Sequence, residues 1–229
     1  MNVRQTNRLL FDQRFGDRVR AGVPMTELTT FRTGGVADWF LETSRSDDLV
    51  VAVRIAVEHD LPLTVLGGGS NVLVGDGGVR GLVVRLRHGD ISRHGVHRVR
   101  AESGVTMNGL VRWTIQRGLA GLERWAGTPG SVGGAIYGNA HFKGQLLSEM
   151  VTSVGLVDSA GVVSSVSQSA MGFSYDDSRV QHTGERVLWA EFRVSAGDST
   201  TLRAEARRSL AFRKRSQPLG AASAGCVFQ

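Results

Sequence analysis

Three glycine-rich segments, each abutting an apolar run of strand length, constrain this chain more than any other feature. Thr30-Phe31-Arg32-Thr33-Gly34-Gly35 stands just before one such run. Gly67-Gly68-Gly69-Ser70-Asn71-Val72-Leu73-Val74 stands just after another. Gly127-Thr128-Pro129-Gly130-Ser131-Val132-Gly133-Gly134, continued by Gly138-Asn139-Ala140, is the longest. Glycine reaches backbone conformations closed to other residues and lets a ligand approach with no Cβ in the way. Successive N–H groups in such loops can converge on an anion, and Ser and Thr hydroxyls add donors. Any one of these loops is equally well explained as a tight turn, because glycine is foremost a turn residue. Together, with hydroxyl and amide side chains in each, they point to a long ligand containing a pyrophosphate. No Gly-Lys-Ser/Thr ending is present, which excludes a Walker P-loop, and no G-x-G-x-x-G opens a helix after a strand.

Between the loops, periodicity predicts alternating helices and strands. Leu9, Leu10, Phe11, Phe15 and Val19 have roughly helical spacing over 7–19. Val36 to Glu42 reads as a strand, and Ser46 as the cap of a helix whose apolar face carries Leu49, Val50, Val53, Ala56 and Val57. Leu63 to Leu66 and Leu82 to Arg85 complete a β-α-β-loop-β block. A second block opens with a strand at Val96 to Glu102 and a helix at Met107 to Arg117, stopped by Gly118. Val151–Val157 and Val162–Val166 flank Asp158-Ser159-Ala160-Gly161 as a hairpin. Val187 to Val194 follows as a strand, and Ser199 is the expected cap of a last helix ending near Arg213. The pattern is α+β.

Composition narrows the function classes. Net charge is +6 with a pI near 10.6, but the arginines are spread among the acids and only Lys143 and Lys214 are lysine. Such a surface suits small anions as well as nucleic acid, and no nucleic-acid partner is expected. The dense run Arg213-Lys214-Arg215 follows a predicted helix, where cations favour the C-terminal dipole. The longest apolar stretch, Leu49 to Val57, is broken by Arg54 and is too short to span a bilayer. No secretory signal is evident among the arginines of the first twenty residues. A cytoplasmic monomer with no membrane partner is the expectation. One cysteine, Cys226, excludes a disulfide framework, and the scattered histidines form no metal cluster.

The order and spacing of these segments carry a resemblance. Thr-Phe-Arg-x-Gly-Gly, then Leu-Gly-Gly-Gly-Ser-Asn-Val-Leu-Val, then Gly-Leu-x-Gly-Leu-Glu at 118–123 leading into Ala-Gly-x-Pro-Gly-Ser-Val-Gly-Gly resemble the UDP-N-acetylenolpyruvoylglucosamine reductases. The resemblance runs from about Pro24 to Gln229. It implies the vanillyl-alcohol-oxidase/PCMH-type FAD-binding fold. Two α+β subdomains at 1–88 and 89–196 would precede the start of a truncated substrate-binding domain at 197–229. It implies FAD as cofactor, NADPH as reducing substrate and a UDP-sugar as acceptor. The residues then expected to line FAD are Arg32, Thr33, Gly34, Gly67, Gly68, Gly69, Ser70, Asn71, Val72, Gly127, Thr128, Pro129, Gly130, Ser131, Gly133, Gly134 and Asn139.

In that family an enolpyruvyl ether is reduced to a lactyl ether for cell-wall peptidoglycan. The chemistry demands stabilisation of a carboxylate and a positioned proton donor. Ser223-Ala224-Gly225-Cys226-Val227-Phe228 matches the family's donor motif, which makes Cys226 the proton-donor candidate; a thiol is mostly protonated at neutral pH. Two departures stand out. In Phe173-Ser174-Tyr175-Asp176-Asp177-Ser178-Arg179 the family's carboxylate-holding Arg is replaced by Asp176, leaving Arg179 as its nearest substitute. The family's catalytic Glu beyond the donor motif has no counterpart in the sequence. The alternative is a non-catalytic or other-substrate flavin-binding protein of the same fold.

Overall fold

The structure is a computed structural model and describes residues 3–217 and 220–225. Its first part is α1 (Val3–Phe15), β1 (Val19–Pro24), β2 (Val36–Thr43), α2 (Ser46–Glu58), β3 (Leu63–Leu66) and β4 (Val79–Leu86). The strands form one sheet in the order β1-β2-β4-β3, with β1 antiparallel and the others parallel. Leu82, Val83, Val84 and Leu86 make β4 apolar on both faces, as a strand covered on both sides requires. Phe11, Phe15, Leu49, Ala52 and Val53 from the helices close one face. Val23, Met25, Leu28, Phe40 and Val74 close the other.

The second part is β5 (Ile91–Arg93), β6 (Arg98–Glu102), α3 (Met107–Gln116), β7 (Leu119–Ala120), α4 (Val132–Tyr137), β8 (His141–Phe142), β9 (Gln145–Leu146), β10 (Val151–Val157), β11 (Val163–Ser167), α5 (Val180–Thr183), β12 (Arg186–Arg193), β13 (Ser195–Ala196) and α6 (Ser199–Ser216). Its antiparallel sheet runs β11-β10-β12-β6-β5. The core gathers Val99, Leu110, Ile136, Val154 and Phe192, and α6 adds Leu202 and Ala206. Val157 and Leu188 of this sheet enter the first part's core beside α2, so the two sheets are joined by apolar packing.

Several local expectations shift, among them the end of the last helix: α6 runs to Ser216, so Arg213-Lys214-Arg215 lie inside its last turn rather than after it. The first helix ends at Phe15, and Val19 belongs to β1; Gly16 at φ +64 stops the helix. The strand expected from Val96 begins at Arg98. Ser46 is the first helical residue after an N-cap at Arg45. Asp198, not Ser199, caps α6 by accepting from the Thr201 N–H at 2.7 Å, as good an acceptor there as Ser.

Gly155 on β10 lies opposite Trp189 on β12, and a Cβ at Gly155 would collide with the indole. The Arg100 guanidinium lies 3.9 Å from the centroid of that ring. Gly155→Ala is therefore expected to cost about 1–3 kcal/mol by overpacking, read as a lowered denaturant midpoint at unchanged slope. A loss below about 0.5 kcal/mol would mean that Trp189 swings aside freely.

Candidate functional site

The glycine segments meet because each lacks side chains where the others press on it. A Cβ at Gly67 would lie 2.5 Å from Ser131 Oγ, and one at Gly68 would lie 2.7 Å from Gly130 Cα. Gly69, at φ +66, faces the Leu28 carbonyl, and Thr30 N–H donates to the Gly69 carbonyl at 2.9 Å. Gly34 abuts Val74, and Gly35 N–H donates to the Gly75 carbonyl at 3.0 Å. The loop after β3 is thus held between the segment before β2 and the segment before α4. Arg32 and Thr33 are exposed at its edge, Arg32 in the left-handed region at φ +60.

Several residues of this cradle also have structural duties. Ser131 caps α4 by accepting from Gly134 N–H. Gly133 lets α4 approach Ser103, to whose carbonyl its N–H donates at 2.9 Å. Asn108 accepts from Gly127 N–H at 2.6 Å and donates to the Thr128 carbonyl. Asn139 is fully buried; its amide donates to the Ser174 carbonyl and accepts from Ser148 N–H.

Two features remain unsatisfied. Among the described residues, no backbone N–H from Gly67 through Asn71 finds a protein acceptor, nor do those of Gly130 and Ser131. Arg213 is 4% exposed, yet it meets no carboxylate among the described residues. Its Nη2 donates to Thr128 Oγ1 at 2.8 Å, its guanidinium stacks 3.8 Å from the centre of Phe142, and its Nε has no acceptor among the described residues. Burial pushes the guanidinium below its ordinary value. A buried cation without a counter-ion among the described residues, behind a loop rich in donors unpaired there, is an electrostatic arrangement that an anion completes.

The residues nominated for chemistry lie elsewhere. Arg179, just before α5, donates from Nε and Nη2 to the two oxygens of buried Glu185 at 2.7 and 2.9 Å. Burial pushes the Glu185 carboxyl up, but hydrogen bonds from Arg179 and Thr183 outweigh it and hold the carboxyl below its ordinary value. Asp176, in the left-handed region at φ +55, accepts from His141 Nδ1 at 3.0 Å, and Tyr175 Oη lies 3.1 Å from His141 Nε2. Cys226 lies outside the described residues. No group of three or more His, Cys, Asp or Glu able to hold a metal occurs among the described residues, and no helix there is long and apolar enough to cross a membrane.

Residues 37–167 match the family model described as FAD binding domain. A UDP-N-acetylenolpyruvoylglucosamine reductase from Lactobacillus acidophilus is 32% identical over 214 residues, which are 93% of this chain and 72% of that protein. The chain belongs to the UDP-N-acetylenolpyruvoylglucosamine reductase family. A crystal structure of a UDP-N-acetylenolpyruvylglucosamine reductase from Thermus caldophilus superposes with a TM-score of 0.79 at 28% identity, covering 93% of this chain and 74% of that one. The 4-ethylphenol oxidase of Gulosibacter chungangensis, 16% identical, superposes at 0.60 over 86% of this chain and 43% of its own. That likeness shows a shared α+β fold of the PCMH type, and the match to the FAD binding domain over 37–167 makes it an FAD-binding one. The cradle fits FAD, the cofactor of the UDP-N-acetylenolpyruvoylglucosamine reductases: it offers unpaired N–H groups and a buried Arg213 where a diphosphate-containing molecule needs donors and charge.

Proposed function

We propose that this chain reduces the enolpyruvyl ether of UDP-N-acetylglucosamine enolpyruvate to the lactyl ether of UDP-N-acetylmuramate, with NADPH as electron source, for peptidoglycan synthesis in the cytoplasm. The observation that carries this reading is the cradle of unpaired donors backed by Arg213, in a chain of this family. FAD, when bound, supplies the redox chemistry of hydride transfer. The protein supplies the rest. Gly67 to Val72 and Gly127 to Gly134 would hold the cofactor, with Arg32, Thr33 and Gly34 at the edge and Asn139 fixing the far end of α4. Arg213 would neutralise an anionic group there. The Cys226 thiol would deliver the proton that completes the reduction. A carboxylate role for Arg179 requires that Glu185 give up a bidentate ion pair.

That same ion pair favours a second reading, a flavin-binding protein of this fold that does not reduce this substrate. One titration separates them. The purified chain is expected to show a bound-flavin visible spectrum that shifts saturably with UDP-N-acetylglucosamine enolpyruvate and bleaches on adding NADPH. Flavin with no shift would support the second reading, and a folded chain that takes up no flavin would overturn both.

A further inference from the structure

Tyr175, His141 and Asp176 form a hydrogen-bonded chain at the C-terminal end of α4 to which no part of the proposed reaction has yet been assigned. Asp176 Oδ1 lies 3.0 Å from His141 Nδ1, and Tyr175 Oη lies 3.1 Å from His141 Nε2. The two rings pack at 4.5 Å between centroids. An ionised carboxylate can only accept, so Nδ1 must carry a proton.

The state of Nε2 then decides which way the phenol points. With a neutral imidazole, Nε2 has only its lone pair, so the Tyr175 hydroxyl must donate inward. With an imidazolium, Nε2–H donates to the phenol oxygen, and the hydroxyl proton is free to donate outward. Tyr175 is 59% exposed, so that outward donor reaches solvent and ligands. Charge acts in the same direction. The neutral-imidazole cluster is anionic through Asp176 and repels an anion, whereas the imidazolium cluster has no net charge.

The segment is held where it stands. Asn139, fully buried, donates to the Ser174 carbonyl at 2.7 Å, and Gln181 donates to the carbonyls of Asp176 and Tyr137 at 2.9 and 2.8 Å. These bonds secure a left-handed Asp176, a conformation rare outside glycine. Charged groups on the surrounding elements have partners of their own; Arg186, near Tyr137, donates to the Gly184 and Glu185 carbonyls. Lys143, on the β8–β9 turn, lies 3.9 Å over Phe212; Asp177 pairs with His182 at 2.8 Å; Arg179 pairs with Glu185. The opposite end of α4 is Ser131 in the cradle, and six helical residues span only about 9 Å.

We propose that Tyr175, His141 and Asp176 form a carboxylate-binding element that takes up one proton as it binds. It rests on the substrate proposed above, whose enolpyruvyl carboxylate is the anion the Tyr175 hydroxyl receives. Arg179 is then free to stay with Glu185.

The test is calorimetric titration of the FAD-loaded full chain with UDP-N-acetylglucosamine enolpyruvate and with UDP-N-acetylglucosamine, which lacks the carboxylate. Buffers of different ionisation enthalpy at about pH 8 report proton uptake. The enolpyruvyl compound is expected to take up about one proton, and to bind roughly tenfold more weakly for each pH unit above that point; the carboxylate-free sugar takes up none. His141→Gln should abolish the uptake. Tyr175→Phe should weaken the enolpyruvyl compound roughly tenfold and leave the carboxylate-free sugar unaffected. Equal uptake for both sugars, uptake retained in His141→Gln, or wild-type binding by Tyr175→Phe would overturn this element while the substrate stands. Binding of neither sugar to the wild-type chain would overturn the substrate and this element together.

Discussion

Arg213→Met is expected to weaken FAD binding on the order of a hundredfold, about 2–3 kcal/mol, while leaving the apo chain at least as stable as the wild type. The two signs follow from one observation. Arg213 is a buried cation with a single hydrogen bond to Thr128 and no carboxylate among the described residues. In the apo chain its burial is an uncompensated desolvation, so an apolar replacement of similar length should be neutral or stabilising. Its stem packs against Gly127, where a Cβ would come within 2.9 Å of Arg213 Cδ, and methionine keeps that packing. With an anionic cofactor in the cradle, the same guanidinium becomes half of a charge-assisted contact in a water-poor setting, and its removal leaves the anion unpaired. Fluorescence titration of the apo chain with FAD reads the affinity, and denaturant unfolding without FAD reads the stability. Unchanged FAD affinity combined with a destabilised apo chain would show that Arg213 is there to hold α6 onto the Gly127 loop and nothing more.

Why Arg213 escapes the sequence, while the glycines do not, has a physical answer. A glycine is needed wherever one backbone touches another, so Gly67, Gly68 and Gly133 announce close approaches without any knowledge of the partner. Arg213 stands in a run with Lys214 and Arg215, and composition treats the three alike. What distinguishes it is the helical register of α6, in which Leu202, Ala206, Ser209 and Arg213 share the buried face. Following that stripe to its end would have placed one arginine inside.

The elements divide in the same manner. β2, α2, β3 and β4 were legible because strands and helix covered on an apolar side carry strong patterns. β1 goes unread, with only its first residue, Val19, joined to the preceding helix, because its only buried residues are Val19 and Val23, around an exposed Arg20-Ala21-Gly22. β5 was invisible for a related reason: it is a three-residue edge strand with no buried position. The Tyr175–His141–Asp176 chain was out of reach because its members lie 34 and 35 positions apart and are joined only when Asn139 ties the Ser174 segment to α4. One buried charge was legible in principle. Glu191 sits in the otherwise apolar run Val187 to Val194, and a carboxylate inside a sheet has to be met by cations.

Glu191 is the basis of the second large effect: Glu191→Gln is expected to destabilise the chain by about 3–5 kcal/mol at neutral pH, with the difference vanishing in acid. Its side chain is almost fully buried in β12. Arg100 reaches it at 2.6 Å, His94 at 2.7 Å and Arg98 at 3.3 Å, while Ser153 on β10 donates at 3.3 Å. Burial alone would push the carboxyl up. The Arg100 hydrogen bond, with the charges of Arg100, His94 and Arg98, outweighs burial and holds the carboxyl below its ordinary value. A carboxyl depressed by folding contributes stability that is complete above the unfolded value of about 4.3 and is lost as pH falls through the folded value. Glutamine keeps the shape but leaves two arginines facing a neutral amide, and for a chain of this size the loss corresponds to a melting shift of roughly 10 °C. Unfolding of wild type and variant should be compared at one fixed FAD concentration, because ligand raises apparent stability. A neutral-pH loss below about 1 kcal/mol would mean that the cluster is solvent-screened in spite of its burial. A full-sized loss that shows no decline as pH falls below about 4 would mean that glutamine disturbs packing, because the wild-type carboxylate's advantage shrinks steadily once pH drops under its unfolded value.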